Sequence, residues 1–479
     1  MDIESIAKYF PSVEKFKVGL SFREKLKWVL ILLVTYFFLY EIPLIGTNPY
    51  SSPQFALTTL YSTLTGSKIG SLATLGIAPI ITASIIVHVL VASKVINWDI
   101  KELEGRRKAK ALEKVLAYAF IFIEGLVFVY AVSGLLSIVP GYEAIVYLQI
   151  VLGGILTYLI ADAINKVGFG SGISLIIFAG IAYSFIVNLF SPFTVTLEGK
   201  FDFWFKVEDS YPVGKVLAMF VALERNDYQI FLSSLIQIVS TFLLLLFVAF
   251  LLRSNIEIPV IYTQFRGLGR PIELSLLYTS TLALIFGTAL LANLQLMFLT
   301  SATEIKGNLR CGIFGCFDQN NNAVSGIAYY LSPPKALLLE IFGIRALPEG
   351  VTIEKEIIKT FIYLVIFSLI LVLFAWIWVY TAGMDPKSIA ETLSAYGFGI
   401  SGYRSDERVL EDVLNRYIPY LTIFSGIISA VIAVLADISG SLLFSTSLII
   451  FVSVAYSYYT LIKREKSEDL PKIIRNALE

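Results

Sequence analysis

Long apolar stretches separated by short polar segments form the main pattern of the chain. At 1.5 Å per residue, a helix of about 20 residues crosses a hydrocarbon core about 30 Å thick. Stretches of this length fall near residues 26–45, 75–96, 115–139, 142–163, 172–191, 230–252, 272–300, 357–381, 417–436 and 440–462. The pattern therefore predicts an all-α polytopic membrane protein with ten transmembrane helices.

One shorter apolar run precedes the second stretch, and the break between them indicates a cavity. Residues 55–64 form a helix-length run that stops before Gly66 and Gly70, and the next long run begins near Leu75. A break of this kind leaves backbone groups without helical partners, which hydrocarbon cannot satisfy. It is tolerated only against protein or water. We therefore expect the chain to enclose a path that contains residues 55–64.

Charge adds an orientation to this pattern. Hydrophobic residues make up 57% of the chain, which excludes a soluble multidomain protein. Lys and Arg total 37, as do Asp and Glu, so the net charge of zero implies nothing about a nucleic-acid partner, and the positions of the charges matter more than their sum. With the N-terminus inside, 26 of the 37 basic residues lie in inner segments. We predict a multi-pass protein of the cell membrane with both termini in the cytosol.

Ten spans divide into two halves of five, residues 1–229 and 230–479. Because each half has an odd number of spans, the halves are predicted to have opposite orientations, as in inverted repeats with a site at their interface. Residues 325–344 are apolar but contain Pro333 and Pro334, which predicts an interfacial or re-entrant hairpin rather than a crossing.

Few polar residues lie within the predicted spans, and none forms a catalytic or metal-binding pattern. We therefore expect no enzyme activity, no catalytic residues, no bound metal and no cofactor. Glu124 lies nine residues into its span and needs a partner, for which Asn293, Gln295 and Thr82 are candidates. His88 is the only histidine, and we interpret it as a core residue whose hydrogen bonds are satisfied.

Cys311 and Cys316 lie in one loop with four residues between them and no nearby histidine. This spacing favours a local disulfide over a metal site if the loop faces an oxidising exterior.

Two isoleucine pairs have helical spacing. Ile77 and Ile81 are four residues apart, as are Ile173 and Ile177, so each pair lies on one helix face. The spacing alone favours ordinary packing or lipid contact.

Five stretches of the sequence are typical of one family and occur in the order found there. They are TLGIAPIITASIIVHVLVAS (74–93), DAINKVGFGSGISLIIFAGI (162–181), LLANLQLM (290–297), GIAYYLSPP (326–334) and DPKSIAETLSAYGFGISGYRSDERVLEDVLNRYIPYLT (385–422). Together they resemble the SecY family, the channel subunit of the Sec protein translocon, and most closely its archaeal and eukaryotic branch.

This resemblance implies an hourglass pore between two inverted five-helix halves. Its narrowest point would be a ring of isoleucines, which can close around an extended chain and exclude water from the gap. A plug helix would fill the outer funnel, with Gly66 and Gly70 as its hinge region. The matched ring residues are Ile77, Ile81, Ile173, Ile177, Ile285 and Ile450. The matched plug residues are Phe55, Ala56, Leu57, Leu60, Tyr61 and Leu64.

The resemblance also implies a lateral gate and a docking surface. The gate would part between spans two and three on one side and seven and eight on the other, with a polar cluster of Thr82, Glu124 and Asn293. Inner loops 253–271 and 382–415 would dock a ribosome. Their matched basic residues are Arg266, Arg270 and Arg404, which could contact RNA phosphate or acidic protein groups.

The function implied is a protein-conducting channel that translocates unfolded polypeptides and releases transmembrane segments into lipid. Its partners would be SecE and Sec beta subunits, the ribosome and the signal-recognition-particle receptor system, nascent polypeptides with their signal sequences, and lipid. The alternative is a secondary transporter of a small solute built from inverted repeats, which predicts a polar site at the membrane midplane. A membrane scaffold or insertase without a pore is a third hypothesis.

Overall fold

The fold is defined by a computed structural model. It describes residues 3–14, 20–47, 66–98, 102–131, 136, 138–195, 201–207, 210–258, 260–262, 271–279, 281–302, 304–306, 309–318, 322–334, 336–344, 352–399, 407–443 and 446–468.

Helices contain most of the described residues. A π-helical turn, Val127–Ala131, continues the fourth helix, and a 3-10 turn covers Trp204–Lys206. In chain order the α-helices are α1 (Ile3–Ala7), α2 (Phe22–Glu41), α3 (Ala78–Ala92), α4 (Leu103–Leu126), α5 (Glu143–Val167), α6 (Gly172–Phe190), α7 (Lys215–Glu224), α8 (Tyr228–Arg253), α9 (Thr281–Thr300), α10 (Ile327–Tyr330), α11 (Leu337–Ile341), α12 (Ile353–Thr381), α13 (Pro386–Ala395), α14 (Glu407–Asn415), α15 (Ile418–Ser439) and α16 (Ser447–Glu468).

Side-chain caps and glycines set the helix ends. Ser21 caps α2 and exchanges hydrogen bonds with Glu24 in a capping box, which satisfies two backbone groups that the first turn leaves unpaired. Helices α5 and α15 both stop at a glycine in the left-handed region, Gly168 at φ +77° and Gly440 at φ +67°. A residue with a Cβ adopts that conformation only with strain, so these positions end the helices.

Six helical stretches among the described residues are long and apolar enough to cross a membrane. Two shorter apolar helices, Ala78–Ala92 and Ser447–Lys463, lie at the predicted second and tenth spans. The six long stretches are Glu143–Val167, Gly172–Phe190, Tyr228–Arg253, Ala283–Thr300, Ile353–Ala395 and Glu407–Ser439. The chain is therefore a predominantly helical, multi-pass membrane protein.

The loops contain short strands, so the prediction of a purely helical protein was too simple. The strands pair as β1–β2, β3–β5, β4–β10 and the four-stranded sheet β6–β7–β8–β9. Their bounds are β1 (Phe193–Val195), β2 (Phe201–Phe203), β3 (Asn255–Ile258), β4 (Ile261–Tyr262), β5 (Ile272–Ser275), β6 (Glu304–Lys306), β7 (Leu309–Gly312), β8 (Gly315–Phe317), β9 (Ala323–Gly326) and β10 (Phe398–Gly399).

The predicted seventh span begins too early. Residues 272–275 form strand β5, and the helix starts only at Thr281. Strand β5 pairs with β3, and its buried Leu274 packs in a small core with Ile258 and Leu410. The apolar side chains of the half-buried strand extend the hydrophobic stretch of the following helix, so hydropathy alone could not show where the strand ends and the helix begins.

The N-terminal segment is clamped onto α4 and α5 by polar contacts. Lys114 and Tyr118 of α4 donate hydrogen bonds to the carbonyl oxygens of Phe10 and Pro11, both at 2.8 Å. Asp162 of α5 accepts a hydrogen bond from the backbone N–H of residue 13 at 3.0 Å and pairs with a lysine one turn later. Asp162 therefore fixes this segment to the end of α5.

Close helix packing depends on one glycine of α5. A Cβ at Gly153 would lie 1.8 Å from the carbonyl oxygen of Leu72, a backbone atom that cannot move aside. A Cβ at the adjacent Gly154 would instead meet side-chain atoms of Ile121 and Leu75, at 3.0 and 3.1 Å. Leu72 belongs to the loop that leads into α3, so α5 supports this loop directly.

We expect Gly153→Ala to lower the free energy of unfolding by about 1–3 kcal/mol, because overpacking forces the backbone apart. Gly154→Ala is the matched control, and its smaller effect follows from the mobility of the side chains around it. Thermal unfolding midpoints of the two detergent-solubilised variants would measure the difference. Equal midpoints would contradict the packing argument.

Candidate functional site

All six isoleucines singled out from the sequence lie in one apolar cluster. Five of them are buried, with exposed fractions of 2% or less, and Ile173 is half-buried and packs against the other members. The buried five are Ile77, Ile81, Ile177, Ile285 and Ile450. Four helices that are far apart in sequence, α3, α6, α9 and α16, supply the residues, with Ile77 immediately before α3. The cluster is the main apolar core of the described residues and contains residues from both halves of the chain.

Helix packing explains how these residues converge. Helix α9 packs against both α3 and α16, and α16 packs against α6. The rings of Phe178 on α6 and Phe451 on α16 stack with centroids 5.0 Å apart. The isoleucines and these stacked rings form an apolar contact between the helices, and a contact of this kind can exclude water.

The loop before α3 contacts the C-terminal end of α2, and two glycines allow its turns. Gly66 and Gly70 have φ values of +59° and +89°, in the left-handed region that glycine adopts without strain. Lys68 between them pairs with Glu41 of α2, with Nζ and Oε2 2.6 Å apart, and Tyr183 of α6 donates a hydrogen bond to Glu41 at 3.2 Å. The predicted plug, residues 55–64, lies outside the described residues.

Glu124 finds only one of its predicted partners. The Thr82 hydroxyl donates a hydrogen bond to Oε1 of Glu124 at 3.0 Å, while Oε2 is buried without a partner in the described part of the chain. Gln295 instead donates to the carbonyl oxygen of Leu331 at 2.7 Å. No hydrogen bond between described residues joins Asn293 to Thr82 or Glu124. The Thr82–Glu124 bond therefore links α3 to α4, which lie on the same side of the expected gate.

His88 has the satisfied environment expected for a core histidine. Its Nδ1–H donates to the carbonyl oxygen of Ser84 at 2.7 Å, and Nδ1 lies 3.6 Å from Oε1 of Glu113 on α4. Its ring also lies against Phe286 of α9 and Trp378 of α12, with centroids 5.6 and 5.4 Å away. The two aromatic partners were not predicted, because they come from helices distant in sequence.

The two inner loops expected to dock a ribosome are joined by a strand pair. Tyr262 of β4 lies opposite Phe398 of β10 in an antiparallel pair, which brings loops 253–271 and 382–415 together. The basic residues predicted for docking lie outside the described residues: Arg266, Arg270 and Arg404.

The two cysteines are bonded to each other. Cys311 of β7 lies directly opposite Cys316 of β8, with an S–S distance of 2.05 Å. Phe317 of the same sheet packs against Phe298 at the end of α9, so the disulfide joins two strands of a sheet seated on that helix. No cluster of His, Cys, Asp or Glu suited to a metal ion occurs within the described ranges.

Comparison with known proteins gives a consistent result. The sequence model of the SecY family matches residues 71–459. The protein translocase subunit SecY of Methanothermobacter thermautotrophicus is 32% identical over 485 residues, covering 99% of this chain and 98% of that protein.

Two solved structures share the fold at 30% identity, each covering 97% of both chains. One concerns the plug domain of the SecY protein, which stabilizes the closed state of the translocation channel and maintains a membrane seal, and its TM-score is 0.77. The other is Sec61 in the canine ribosome–channel complex from the endoplasmic reticulum, with a TM-score of 0.75. On the extent of the family match and these relatives, the chain belongs to the SecY family.

Proposed function

We propose that the chain is the protein-conducting channel subunit of a Sec translocon, a role without bond chemistry or a cofactor. It passes unfolded polypeptides across the membrane and releases transmembrane segments sideways into lipid. The observation that carries this function is that six isoleucines from four helices lie in the apolar core that joins the two halves of the chain, five of them buried. A small-solute transporter needs polar ligands at its midplane, and this junction is apolar.

The proposed architecture is an hourglass of ten transmembrane helices in two inverted halves, residues 1–229 and 230–479. Six long and two shorter apolar helices support it, and α2 and α4 complete the ten. The six isoleucines form the narrowest ring, and residues 55–64 form the plug above it. Gly66 and Gly70 suit a hinge for the plug because both occupy the left-handed region.

The lateral gate is proposed to lie between the α3–α4 pair and the α9–α12 pair. Helix α3 packs against both α9 and α12, which supports a seam along these contacts. Near the start of α3, Ala292 of α9 packs in one cluster with Leu75, Ala78 and Ile121. Thr82 and Glu124 belong to the gate on one side and Asn293 on the other. An apolar signal segment would enter by separating these two pairs of helices.

A ribosome is the proposed cytosolic partner, because the canine relative is known from a ribosome–channel complex. Loops 253–271 and 382–415 form the docking surface, and their β4–β10 pair supports this by holding them together. Arg266, Arg270 and Arg404 would contact phosphate or acidic groups. SecE and Sec beta subunits and the signal-recognition-particle receptor system are further proposed partners. Both termini are proposed to face the cytosol.

Site-directed crosslinking tests the channel directly. Cysteine replaces Ile77 or Ile177 in a chain whose Cys311 and Cys316 are serine, and a stalled secretory polypeptide carries the second cysteine. We expect crosslinks from both positions to the same translocating polypeptide, because a chain in the ring touches every member. Ile186→Cys is the matched control, since Ile186 lies on α6 outside the cluster and is 59% exposed.

The outcome separates the channel from a scaffold. If transport proceeds while neither Ile77→Cys nor Ile177→Cys ever reacts with the polypeptide, the isoleucine cluster is only helix packing. A scaffold or insertase without a pore would then be the better hypothesis.

A further inference from the structure

Three rings from three different helices meet at one end of the proposed gate. His88 of α3, Phe286 of α9 and Trp378 of α12 have ring centroids 5.4–6.0 Å apart in every pairing. We call these three residues the aromatic triad. Spacings of this size are those of favourable aromatic pairs. The triad therefore forms a contact from the α3–α4 side of the gate to the α9–α12 side.

The triad lies at the end of the gate that faces the inner loops. His88 is four residues before the end of α3, and Trp378 is three residues before the end of α12. Phe286 lies in the first half of α9, whose preceding loop contains β3, β4 and β5. The segments next to all three residues are those predicted to face the cytosol, the side from which a signal segment would enter.

The two sides of the triad are held differently. The imidazole of His88 is anchored within its own half, by the carbonyl oxygen of Ser84 and by Glu113, whose Oε1 also accepts a hydrogen bond from Ser84 at 3.2 Å. On the other side the imidazole lies against the rings of Phe286, which is 3% exposed, and Trp378, and no hydrogen bond between described residues joins it to either ring. Parting the gate thus separates rings but breaks none of the hydrogen bonds that orient His88.

The Thr82–Glu124 pair cannot hold the two sides together in the same way. Its hydrogen bond joins α3 to α4 and so remains intact when the gate parts. Asn293, the predicted member from α9, makes no hydrogen bond to either residue in the part of the chain that the structure describes. The predicted polar cluster therefore leaves the cross-gate contact to other residues.

We propose that the aromatic triad is an inner latch of the lateral gate, with His88 as the positioning residue that sets how apolar a signal segment must be to open it. This proposal rests on the proposed channel function. A signal segment opens the gate only if its contacts with the gate and lipid outweigh the ring contacts that it displaces. Weakening the latch must therefore favour weakly apolar signals most.

The test uses the complete translocon in membrane vesicles and a series of secretory reporters whose signal segments lose one leucine at a time. We expect His88→Ala to raise translocation of a weakly apolar reporter by about tenfold, because two ring contacts across the closed gate are lost. His88→Phe should restore the wild-type threshold, since it keeps a planar ring. Trp378→Leu should lower the threshold like His88→Ala.

Val89→Ala is the matched control, because Val89 is the next residue of α3 and is 38% exposed. A purely structural role predicts that His88→Ala reduces transport of all reporters alike. That result, or an unchanged threshold, would overturn the latch. If the wild-type translocon moved no reporter at all, the channel function itself would fail, which separates the two hypotheses.

A disulfide across the latch gives a second measurement, in which one double variant is compared with itself before and after the two sides are joined. His88→Cys with Trp378→Cys is oxidised in the vesicles, and release of a reporter transmembrane segment into lipid is followed. We expect oxidation to stop release and reduction to restore it. The unaltered chain, taken through the same cycle, controls for the Cys311–Cys316 disulfide. Normal release through the crosslinked gate would contradict the proposal.

Discussion

Replacing Ile81 and Ile177 together by serine is expected to make the resting channel leak ions. Both side chains are buried in the isoleucine cluster, with exposed fractions of 2% and 0%. An apolar constriction blocks ions because water leaves it, and ions cannot enter without their hydration. Serine removes most of the apolar volume and adds a hydroxyl group to each position, so water can remain in the gap.

The expected size of the leak follows from the barrier. Each loss of about 1.4 kcal/mol from the barrier to passage raises the rate tenfold. Two isoleucines exchanged for serines change far more apolar surface than such a loss requires, so we expect conductance to rise by at least about tenfold. The measurement is the ion permeability of proteoliposomes that contain the complete complex, without any translocating chain.

Two controls make the leak interpretable. Ile186→Ser places the same change on α6 outside the cluster, and it should leave permeability at the wild-type level. Because residues 55–64 are a second proposed barrier, the double variant is also measured with this segment replaced by a Gly/Ser linker. If serine at Ile81 and Ile177 adds nothing to the leak even then, the isoleucines do not form the seal.

Local sequence patterns predicted the helices that carry the isoleucines, but not how these helices pack together. The four-residue spacing of Ile77 and Ile81 indicated a shared helix face, but spacing alone could not say what that face meets. The family resemblance supplied the association with Ile285 and Ile450. The structure then brought these residues into one buried cluster. Tertiary contacts between distant helices have no signal in hydrophobic periodicity.

Hydrophobic periodicity also could not predict the short strands or the ring contacts of His88. Strands of two to four residues are too short to show alternation, so the sequence predicted the pairing of Cys311 with Cys316 but not the sheet that contains them. His88 was correctly interpreted as satisfied, yet its ring contacts with Phe286 and Trp378 join three separate helices. Contacts between helices so distant in sequence leave no local pattern from which they could be predicted.

A buried charge cluster at the start of α12 was missed entirely, although opposite charges three residues apart gave a signal. Lys359 and Glu356 have side chains 7% and 8% exposed, with Nζ and Oε2 3.3 Å apart. Tyr329 of α10 donates a hydrogen bond to Oε1 of Glu356 at 2.9 Å, and Nζ of Lys359 lies 4.5 Å from the Tyr329 ring centroid. The cluster thereby holds the segment that contains α10 against helix α12.

Two further groups, Tyr329 and Glu340, lie close to the Lys359 ammonium. Burial, followed by its hydrogen bond to Glu356, raises the pKa of Tyr329 above its usual range, so the hydroxyl remains protonated and keeps donating. Glu340 of α11 is also buried, at 9% exposure, and attracts the Lys359 ammonium. Among the described residues of this cluster, Lys359 is therefore the cation that interacts with both buried carboxylates, those of Glu356 and Glu340.

Lys359→Met is expected to lower the free energy of unfolding by about 3–5 kcal/mol. The substitution leaves the Glu356 carboxylate buried with only the Tyr329 hydroxyl as a partner, and an uncompensated buried charge is costly. Lys355→Met is the matched control, since Lys355 lies one turn earlier on α12 and is exposed. Thermal unfolding of the detergent-solubilised complex would show a clear fall in midpoint for Lys359→Met and little change for the control.

Removing both charges separates the ion pair from simple packing. In the double variant Glu356→Gln with Lys359→Met, no charge is left unpaired at Glu356, so the part of the lost stability that arises at Glu356 should return, while the part that arises at Glu340 should not. A double variant no more stable than Lys359→Met alone would mean that the lysine acts through its apolar stem and its contact with Tyr329. The charge pair would then contribute nothing to holding the α10 segment against α12.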